Sequence, residues 1–446
     1  MVRRLQELAE RTQSSLYLIF LDWEKAFDKI HPQGLLRALD KLGVPPHFVK
    51  VIENLNKTPQ FFVRQHQFDS TYHTASSGIR QGCPLSPYLF IILHSVIMAE
   101  VDEQIRSTLD AQNDPYVPYV HSAQYPLTDL AYADDTLVIA RSARIAQLIV
   151  HSIETVATTY NLTLNRGKCE MVRMYAHTDV KFTTGEPIKV VGPAGAKYLG
   201  ALITPDGRSH KEVSARLQKT SQGFKAVSEF WKHTNLTLEW KLRIYTAVFL
   251  PMLLYGLETA YLTHSDLHRL ERFHHKSLRR ILKIPSTYYT KILRPDLPTL
   301  THLEVRQKAG LPSISEFLTE KRMSLLGHLL RAPPTDLMRD VCFTQALQFR
   351  SFNDSRRVGR PRDHWAEHTV AEAWVRWQST SPWAAHMTLE QREEYKHWQL
   401  EHLLWHDVSS GASPHLFLSH PLLTLSTVSF NRPLSYNRVC ARQGAQ

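Results

Sequence analysis

Two adjacent acids interrupt an otherwise apolar part of the chain, in the sequence Tyr132-Ala133-Asp134-Asp135. Largely apolar stretches flank them at 127–131 and 136–140, so the segment predicts a β-hairpin with both carboxylates at its tip. Gathering adjacent carboxylates away from water costs free energy unless a cation neutralises them, and a divalent metal ion is the usual partner. A solvated hairpin turn is the commoner setting for such a pair.

A second apolar run ends in an acid far away in the sequence. Residues 16–21 are all apolar or aromatic, and Asp22 follows them directly. Two strands that end in carboxylates within one domain favour a shared Mg²⁺ site over two unrelated turns. Nucleotidyl transfer can use two such ions, about 3.5–4 Å apart, to activate the attacking oxygen and stabilise the leaving one. Phe27, five residues beyond Asp22, would either pack against a nucleotide sugar or anchor the core.

The segment 77–87, Ser-Gly-Ile-Arg-Gln-Gly-Cys-Pro-Leu-Ser-Pro, is the third element of the candidate site. Gly78 and Gly82 permit tight turns and a close approach of backbone N–H groups to a phosphate or base pair. Arg80 and Gln81 add a cation and an amide beside the turn. Taken alone, the segment would be an ordinary loop leading into a helix.

Composition narrows the class of protein. The chain has 446 residues, enough for two or three domains, and carries 53 Lys+Arg against 42 Asp+Glu, a net charge of +11 that suits a polyanion such as nucleic acid. Its four cysteines are isolated, which disfavours zinc knuckles and disulfides and indicates a reducing compartment. We find no run of about 20 apolar residues, and the first residues form an amphipathic pattern instead of a signal peptide, so we expect no membrane span and no secretion.

The hydrophobic pattern divides the chain into a mixed part and a helical part. Strands and helices without regular alternation predict an α+β domain that ends near residue 205. Beyond residue 208 the pattern predicts helices over 210–233, 238–257 and 264–283.

The last of these predicted helices carries a basic stripe at three- and four-residue steps. Its members are Arg269, Arg272, Lys276, Arg279 or Arg280, and Lys283. The stripe fits phosphate contacts along a duplex, and it equally fits a solvated helix face.

The order of these elements resembles the palm of reverse transcriptases, specifically those of LINE-type retrotransposons, which lack long terminal repeats. Residues 21–28 resemble motif A of that family, residues 78–87 motif B and residues 132–135 motif C. Residues 165–170 are similar to motif D, and residues 196–200 to the motif E hairpin that grips the primer.

The resemblance implies a metal-dependent polymerase site. Asp22, Asp134 and Asp135 would hold two Mg²⁺ ions, or Mn²⁺ in their place, while Lys168 would protonate the leaving pyrophosphate or is a surface lysine with no further role. The implied nucleotide-binding residues are Phe27 as ribose gate, Arg80, Gln81, Gly82 and Tyr132. The implied primer- and template-binding residues are Tyr198, Leu199, Gly200, Arg272, Lys276 and Arg279.

The same resemblance implies an architecture and an activity. Residues 1–205 would form an α+β right-hand palm, an antiparallel sheet with packed helices; a helical thumb would follow over 206–285 and a mostly helical region of unassigned role over 286–446. The implied activity is RNA-directed DNA polymerase, which extends a DNA primer on an RNA template with deoxynucleoside triphosphates. Such a protein would work in the nucleus or in a cytoplasmic ribonucleoprotein.

One departure from the family leaves an alternative open. Only 21 residues precede Asp22, too few for the fingers region that relatives carry before motif A, so we expect a truncated copy. The alternative function is an inactive retroelement remnant, or a nucleic-acid-binding module that keeps palm and thumb.

The basic loop at 356–362 would contact nucleic acid or serve nuclear import.

Overall fold

The chain forms two compact units. The computed structural model describes residues 1–57, 59–111, 127–233, 235–333, 335–344, 349 and 364–380. The described residues of 14–192 form the sheet unit, and those of 1–13 and 193–380 form the helical unit. The first helix and residues 193–205 therefore group with the helices, whereas the sequence pattern assigns them to the palm.

Strands and helices are mixed up to residue 203, and helices follow. Within the described part of the chain, the strands are β1 (Leu16–Leu21), β2 (Gln60–Phe61), β3 (Arg64–Gln65), β4 (Phe68–Asp69), β5 (His73–Thr74), β6 (Asp129–Tyr132), β7 (Asp135–Ala140), β8 (Glu170–Met174), β9 (Lys189–Val190), β10 (Ala196–Tyr198) and β11 (Ala201–Ile203). The helices are α1 (Val2–Thr12), α2 (Pro32–Lys41), α3 (Pro46–Asn56), α4 (Ser86–Ala111), α5 (Ala143–Thr158), α6 (His210–Ala226), α7 (Ser228–His233), α8 (Leu238–Ile244), α9 (Leu250–Leu254), α10 (His264–Ile281), α11 (His302–Ala309), α12 (Ile314–Arg331), α13 (Leu337–Cys342) and α14 (Trp365–Thr380).

A five-stranded sheet in the order β6-β7-β1-β8-β9 is the centre of the sheet unit. The central strand β1 runs antiparallel to both β7 and β8, and every one of its side chains is buried. Ile19 shares a core with Leu93 of α4 and Ile149 of α5, which cover one face of the sheet. The predicted α+β class, an antiparallel sheet with packed helices, is confirmed.

The helices of this unit begin where the sequence places their start signals. Pro32 occupies the first turn of α2, where its missing N–H costs no hydrogen bond. The hydroxyl of Ser142 caps α5 by accepting a hydrogen bond from the backbone N–H of Ile145. Gly43, with φ of 79°, follows α2.

A small two-stranded ribbon connects α3 to α4, and we call residues 60–74 the aromatic ribbon. In it β2 pairs with β5 and β3 pairs with β4. Every side chain from 61 to 74 is exposed, and Phe68 is 81% exposed. The ribbon contributes no buried side chain to the core.

The helical unit has two apolar cores. Leu253, Leu270 and Leu278 belong to the first, and Phe343 and Trp365 belong to the second. A π-helical turn at 245–249 joins α8 to α9. The predicted helices between 210 and 281 and the helical character beyond 286 are confirmed; the loop at 356–362 and residues 381–446 lie outside the described residues. Among the helices described, none is both long and apolar enough to cross a membrane.

Candidate active site

The two adjacent acids lie at the tip of the hairpin formed by β6 and β7, as the sequence predicts. Tyr132 pairs with Asp135 across the hairpin, which leaves Ala133 and Asp134 as a two-residue turn. Ala133 has φ of 53°, whereas Asp134 has no positive φ, which is the φ pattern of a type II′ turn. A short turn of this kind holds both carboxylates at one end of the sheet.

The register of β1 brings Asp22 to the same end of the sheet. Leu21 lies opposite Thr136 in the antiparallel ladder, so the next residues along, Asp22 and Asp135, face each other where the strands end. The main chain of Asp22 is held from the other side as well. Its carbonyl accepts a hydrogen bond from Asn165 N–H at 2.7 Å, and its N–H donates to Cys169 Sγ at 3.5 Å.

The charges at this corner repel one another. Packing around its carboxylate, then the charge of Asp134, then that of Asp22 raise the pKa of Asp135 above its ordinary value, although the residue remains exposed at its surface. Lys168 Nζ lies 3.7 Å from Asp22 Oδ2 and is the nearby cation of the corner. An exposed pair at that distance contributes little stability.

The donor chemistry of this corner suits a hard divalent cation. Carboxylate oxygens are the ligands that Mg²⁺ prefers, and a cation would relieve the repulsion that raises the pKa of Asp135. The three side chains are nevertheless not drawn into a closed ligand set: the described residues contain no group of three or more acids, histidines or cysteines arranged to hold a metal ion.

Behind the acids lies a buried polar group that sequence reasoning missed. Trp23 Nε1–H donates to Thr136 Oγ1 at 3.0 Å, and His94 Nε2 is 2.9 Å from the same hydroxyl. Trp23 adjoins Asp22 and Thr136 adjoins Asp135, so these contacts tie the two acid-bearing strand ends together. The available signals were a threonine inside an apolar strand and a histidine inside the apolar helix α4.

The predicted glycine loop docks on the segment that follows Asp22. Gly78 N–H donates to Ile30 O at 2.8 Å, and Ile79 N–H donates to Phe27 O at 2.8 Å. A Cβ added to Gly78 would lie 2.9 Å from the carbonyl oxygen of Asp28, so only glycine fits at this close approach. Gln81 Nε2 donates to Asp28 Oδ1 at 3.0 Å.

The remaining predicted nucleotide contacts surround this loop. Phe27 stacks on Phe90 of α4 with ring centroids 5.1 Å apart, and it is half-buried, so it packs against the core and is also partly open to solvent. Arg80, Gly82 and Tyr132 are exposed. Gly82 has φ of 83°, and a Cβ added to it would meet no atom within 4 Å, so the backbone conformation alone favours glycine there.

Three of the predicted primer- and template-binding residues, Tyr198, Leu199 and Gly200, lie in a second hairpin, which belongs to the helical unit. Tyr198 pairs with Ala201, and both turn residues have positive φ, 47° at Leu199 and 76° at Gly200. That pattern is the one of a type I′ hairpin turn, in which a bulky leucine is unusual.

The predicted basic stripe needs one correction. Arg272, Lys276 and Arg280 are exposed on α10, but Arg279 is buried. Its guanidinium donates to the carbonyl oxygens of Pro285 and Leu300, so it fixes the chain after the helix and is not available to a phosphate.

Comparisons with known proteins show what this part of the chain resembles. Residues 2–203 match the family model described as Reverse transcriptase (RNA-dependent DNA polymerase). The RNA-directed DNA polymerase from mobile element jockey of Drosophila melanogaster is 26% identical over 296 residues, 62% of this chain and 30% of that protein. The Pol polyprotein from type-1 retrotransposable element R2 of Nasonia vitripennis is 21% identical over 283 residues, 60% of this chain and 25% of that protein. The chain thus spans less than a third of the length of these relatives.

A solved structure of telomerase from Candida Tropicalis with a fragment of telomeric RNA is also similar. It is 13% identical and covers 73% of this chain and 49% of its own, but the TM-score of 0.32 is too low to support an argument about fold. Residues 2–203 match the reverse transcriptase family model, and the matching relatives are proteins of mobile and retrotransposable elements. This part of the chain thus resembles the reverse transcriptase domain of LINE-type retrotransposons, those without long terminal repeats.

Proposed function

We propose that the chain acts as an RNA-directed DNA polymerase that extends a DNA primer on an RNA template with deoxynucleoside triphosphates. The observation that carries this proposal is the juxtaposition of Asp22 and Asp135, which the register of β1 and β7 sets side by side next to Asp134. Three carboxylates at one end of the sheet, where packing and then the neighbouring acids raise the pKa of Asp135, fit a site for divalent cations.

Different residues of the sheet unit would bind the metal ions, contact the sugar and donate a proton at this site. Asp22, Asp134 and Asp135 would hold Mg²⁺ or Mn²⁺, which supplies a Lewis acid and neutralises charge on the reacting phosphate. The partly exposed ring of Phe27 would limit bulk at the sugar of the bound nucleotide, and Lys168 lies beside Asp22, where an ammonium group can give a proton to pyrophosphate.

The loop 78–82 supplies the other side of the nucleotide site. Its docking on Phe27 and Asp28 fixes the position of Gln81 and leaves Arg80 exposed to the negative charge of a triphosphate. Tyr132 is 42% exposed beside the acid corner, where a primer end can lie against its ring.

The helical unit supplies contacts to nucleic acid under this proposal. The exposed cations Arg272, Lys276 and Arg280 recur at four-residue steps along α10, which places them on one face of the helix. Such a face can follow phosphates of a template–primer duplex. Tyr198, Leu199 and Gly200 would contact the primer strand. A protein with these partners works in the nucleus or in a cytoplasmic ribonucleoprotein.

The test is primer extension on an RNA template with deoxynucleoside triphosphates and Mg²⁺. The wild-type chain is compared with Asp134→Ala and with Asp40→Ala, a matched control that removes an exposed carboxylate from α2 of the same unit. We expect incorporation by wild type and the control and none by Asp134→Ala. Equal incorporation by all three proteins would reject the polymerase assignment.

One observation favours a second function, a nucleic-acid-binding module without catalysis. Arg272, Lys276 and Arg280 form an exposed basic face on α10, which can bind phosphates without any metal ion. This alternative predicts salt-sensitive binding of an RNA–DNA duplex in a gel-shift titration together with no extension by the wild-type chain.

A further inference from the structure

The turn of the second hairpin holds an unfavourable backbone conformation. Leu199 has φ of 47° and is 37% exposed, and left-handed backbone is unfavourable for an L-residue with a bulky side chain. Such strain persists only where surrounding contacts over-determine the conformation, and it concentrates at functional positions.

Three contacts within the helical unit fix this turn. The hydroxyl of Tyr255 donates to Leu199 O at 2.9 Å, and the guanidinium of Arg216 donates to Gly200 O. Leu202 N–H, one residue into β11, donates to a carboxylate oxygen of Glu212. Both carbonyls of the turn are therefore occupied by side chains from outside the hairpin.

The three side chains also hold one another. Arg216 Nε donates to Glu212 Oε1 at 2.6 Å, and both residues are buried on successive turns of α6. The Arg216 guanidinium lies 4.7 Å from the centroid of the Tyr255 ring, and that ring would lie 3.4 Å from a Cβ added to Gly200. A planar donor that bonds a carboxylate, bonds a carbonyl and stacks on a ring cannot be replaced by lysine without loss.

We propose that Arg216 and Tyr255, with Glu212, are positioning residues that hold the Leu199–Gly200 turn in the conformation that contacts the primer. The inference rests on the proposed polymerase function and extends it to residues that touch neither metal nor nucleotide. A turn held at three points presents the primer end at a fixed place, and a small misplacement of a reacting group lowers the rate of a chemical step steeply.

The test compares Tyr255→Phe, which deletes one hydroxyl and keeps the ring, with Arg216→Lys. We expect each variant to lower the extension rate at saturating RNA–DNA duplex and nucleotide about fivefold or more, the size of one lost hydrogen bond, with the KM for nucleotide unchanged. Matched controls are Tyr288→Phe, an exposed tyrosine, and Arg243→Lys, an arginine stacked on Trp240 away from the hairpin. Extension rates of Tyr255→Phe and Arg216→Lys that equal those of their controls would overturn the inference.

A second measurement is independent of polymerase activity. Hydrogen–deuterium exchange of the wild-type chain should show slow exchange at Leu202, and Tyr255→Phe should accelerate exchange within 196–203 while leaving α10 unchanged. Unchanged exchange in that hairpin also overturns the inference. If the wild-type chain extends no primer, the polymerase proposal fails, whereas altered exchange in Tyr255→Phe would still show that the turn is held as described.

Discussion

Leu21 pairs with Thr136 in the ladder between β1 and β7, and this pairing sets Asp22 against Asp135 where the two strands end. The acids come from segments far apart in the sequence, yet one register fixes their distance. The arrangement opposes folding, because burial and two neighbouring charges raise the pKa of Asp135. The corner therefore stores repulsion that a bound cation relieves.

The first prediction follows from that repulsion. Asp135→Asn removes one charge and keeps the size of the side chain, so in metal-free buffer we expect a thermal midpoint about 1–2 °C above that of the wild-type chain. Added Mg²⁺ should raise the midpoint of the wild-type chain and leave the variant nearly unchanged. Differential scanning calorimetry with and without Mg²⁺ measures both effects. Asp40→Asn is the control, and an equal Mg²⁺ response in all three proteins contradicts the prediction.

A second prediction separates the two glycines of the loop. Gly78→Ala drives a Cβ to within 2.9 Å of Asp28 O, whereas Gly82→Ala meets no atom within 4 Å. Both positions have positive φ, so the difference between the variants reports the close approach. We expect Gly82→Ala to lower the free energy of unfolding by about 1 kcal/mol and Gly78→Ala by about 2–3 kcal/mol. Denaturant titration measures both, and equal losses would show that the loop does not dock on Asp28.

A third prediction distinguishes a cation of α10 that would bind nucleic acid from one that stabilises the fold. Lys276 is exposed and Arg279 is buried against the carbonyls of Pro285 and Leu300. Lys276→Ala should weaken binding of an RNA–DNA duplex, reduce the salt slope by about 1 and leave the thermal midpoint unchanged. Arg279→Ala should lower the free energy of unfolding by about 2 kcal/mol, because it removes a buried guanidinium that donates two hydrogen bonds to the chain after α10. The prediction is contradicted if Lys276→Ala lowers the free energy of unfolding while Arg279→Ala lowers only duplex binding.

A fourth prediction concerns acid stability. His274 Nε2 is 3.2 Å from Pro312 O, which can only accept, so Nε2 carries the proton and Nδ1 accepts from the Tyr245 hydroxyl at 2.9 Å. Burial, and then the neighbouring His275, lowers the pKa of His274 to about 3.

The folded state consequently binds fewer protons than the unfolded state between about pH 6.5 and pH 3, so the free energy of unfolding falls as the pH falls through that window. At the acid end of that window, His274 should lower the free energy of unfolding by several kcal/mol, since each unit of pKa shift corresponds to about 1.4 kcal/mol. The difference between wild type and His274→Gln, from urea titrations at pH 7.5 and pH 5, measures it. A difference that does not change with pH would mean that His274 titrates normally.

Sequence alone predicts the elements that local chemistry determines. Ala133 and Asp134 form a turn because two apolar strands flank them, and α2 begins at Pro32 and ends before Gly43. The three acids could be grouped because each follows or begins an apolar strand, and strand ends in one sheet meet at its edges.

Contacts that depend on tertiary register could not be predicted in this way. No local pattern states that Trp23 will meet Thr136, or that Gln81 will bond Asp28, because those pairs join elements whose spacing only the packed sheet defines. Arg279 is a residue for which the local pattern predicts the wrong environment. Its spacing matches the exposed stripe, but the chain after α10 folds back over it and buries it.

The aromatic ribbon has a consequence for how this sequence can vary. Residues 61–74 bury no side chain, and the turn at His66 and Gln67 joins two-residue strands held by an exposed Arg64–Asp69 pair. Extra residues at that turn would disturb neither the core nor the acid corner, since the cost of lengthening a surface loop rises only slowly with its length. The turn is thus a permissive point for insertions, and related sequences are free to differ there in length while the sheet behind them stays the same.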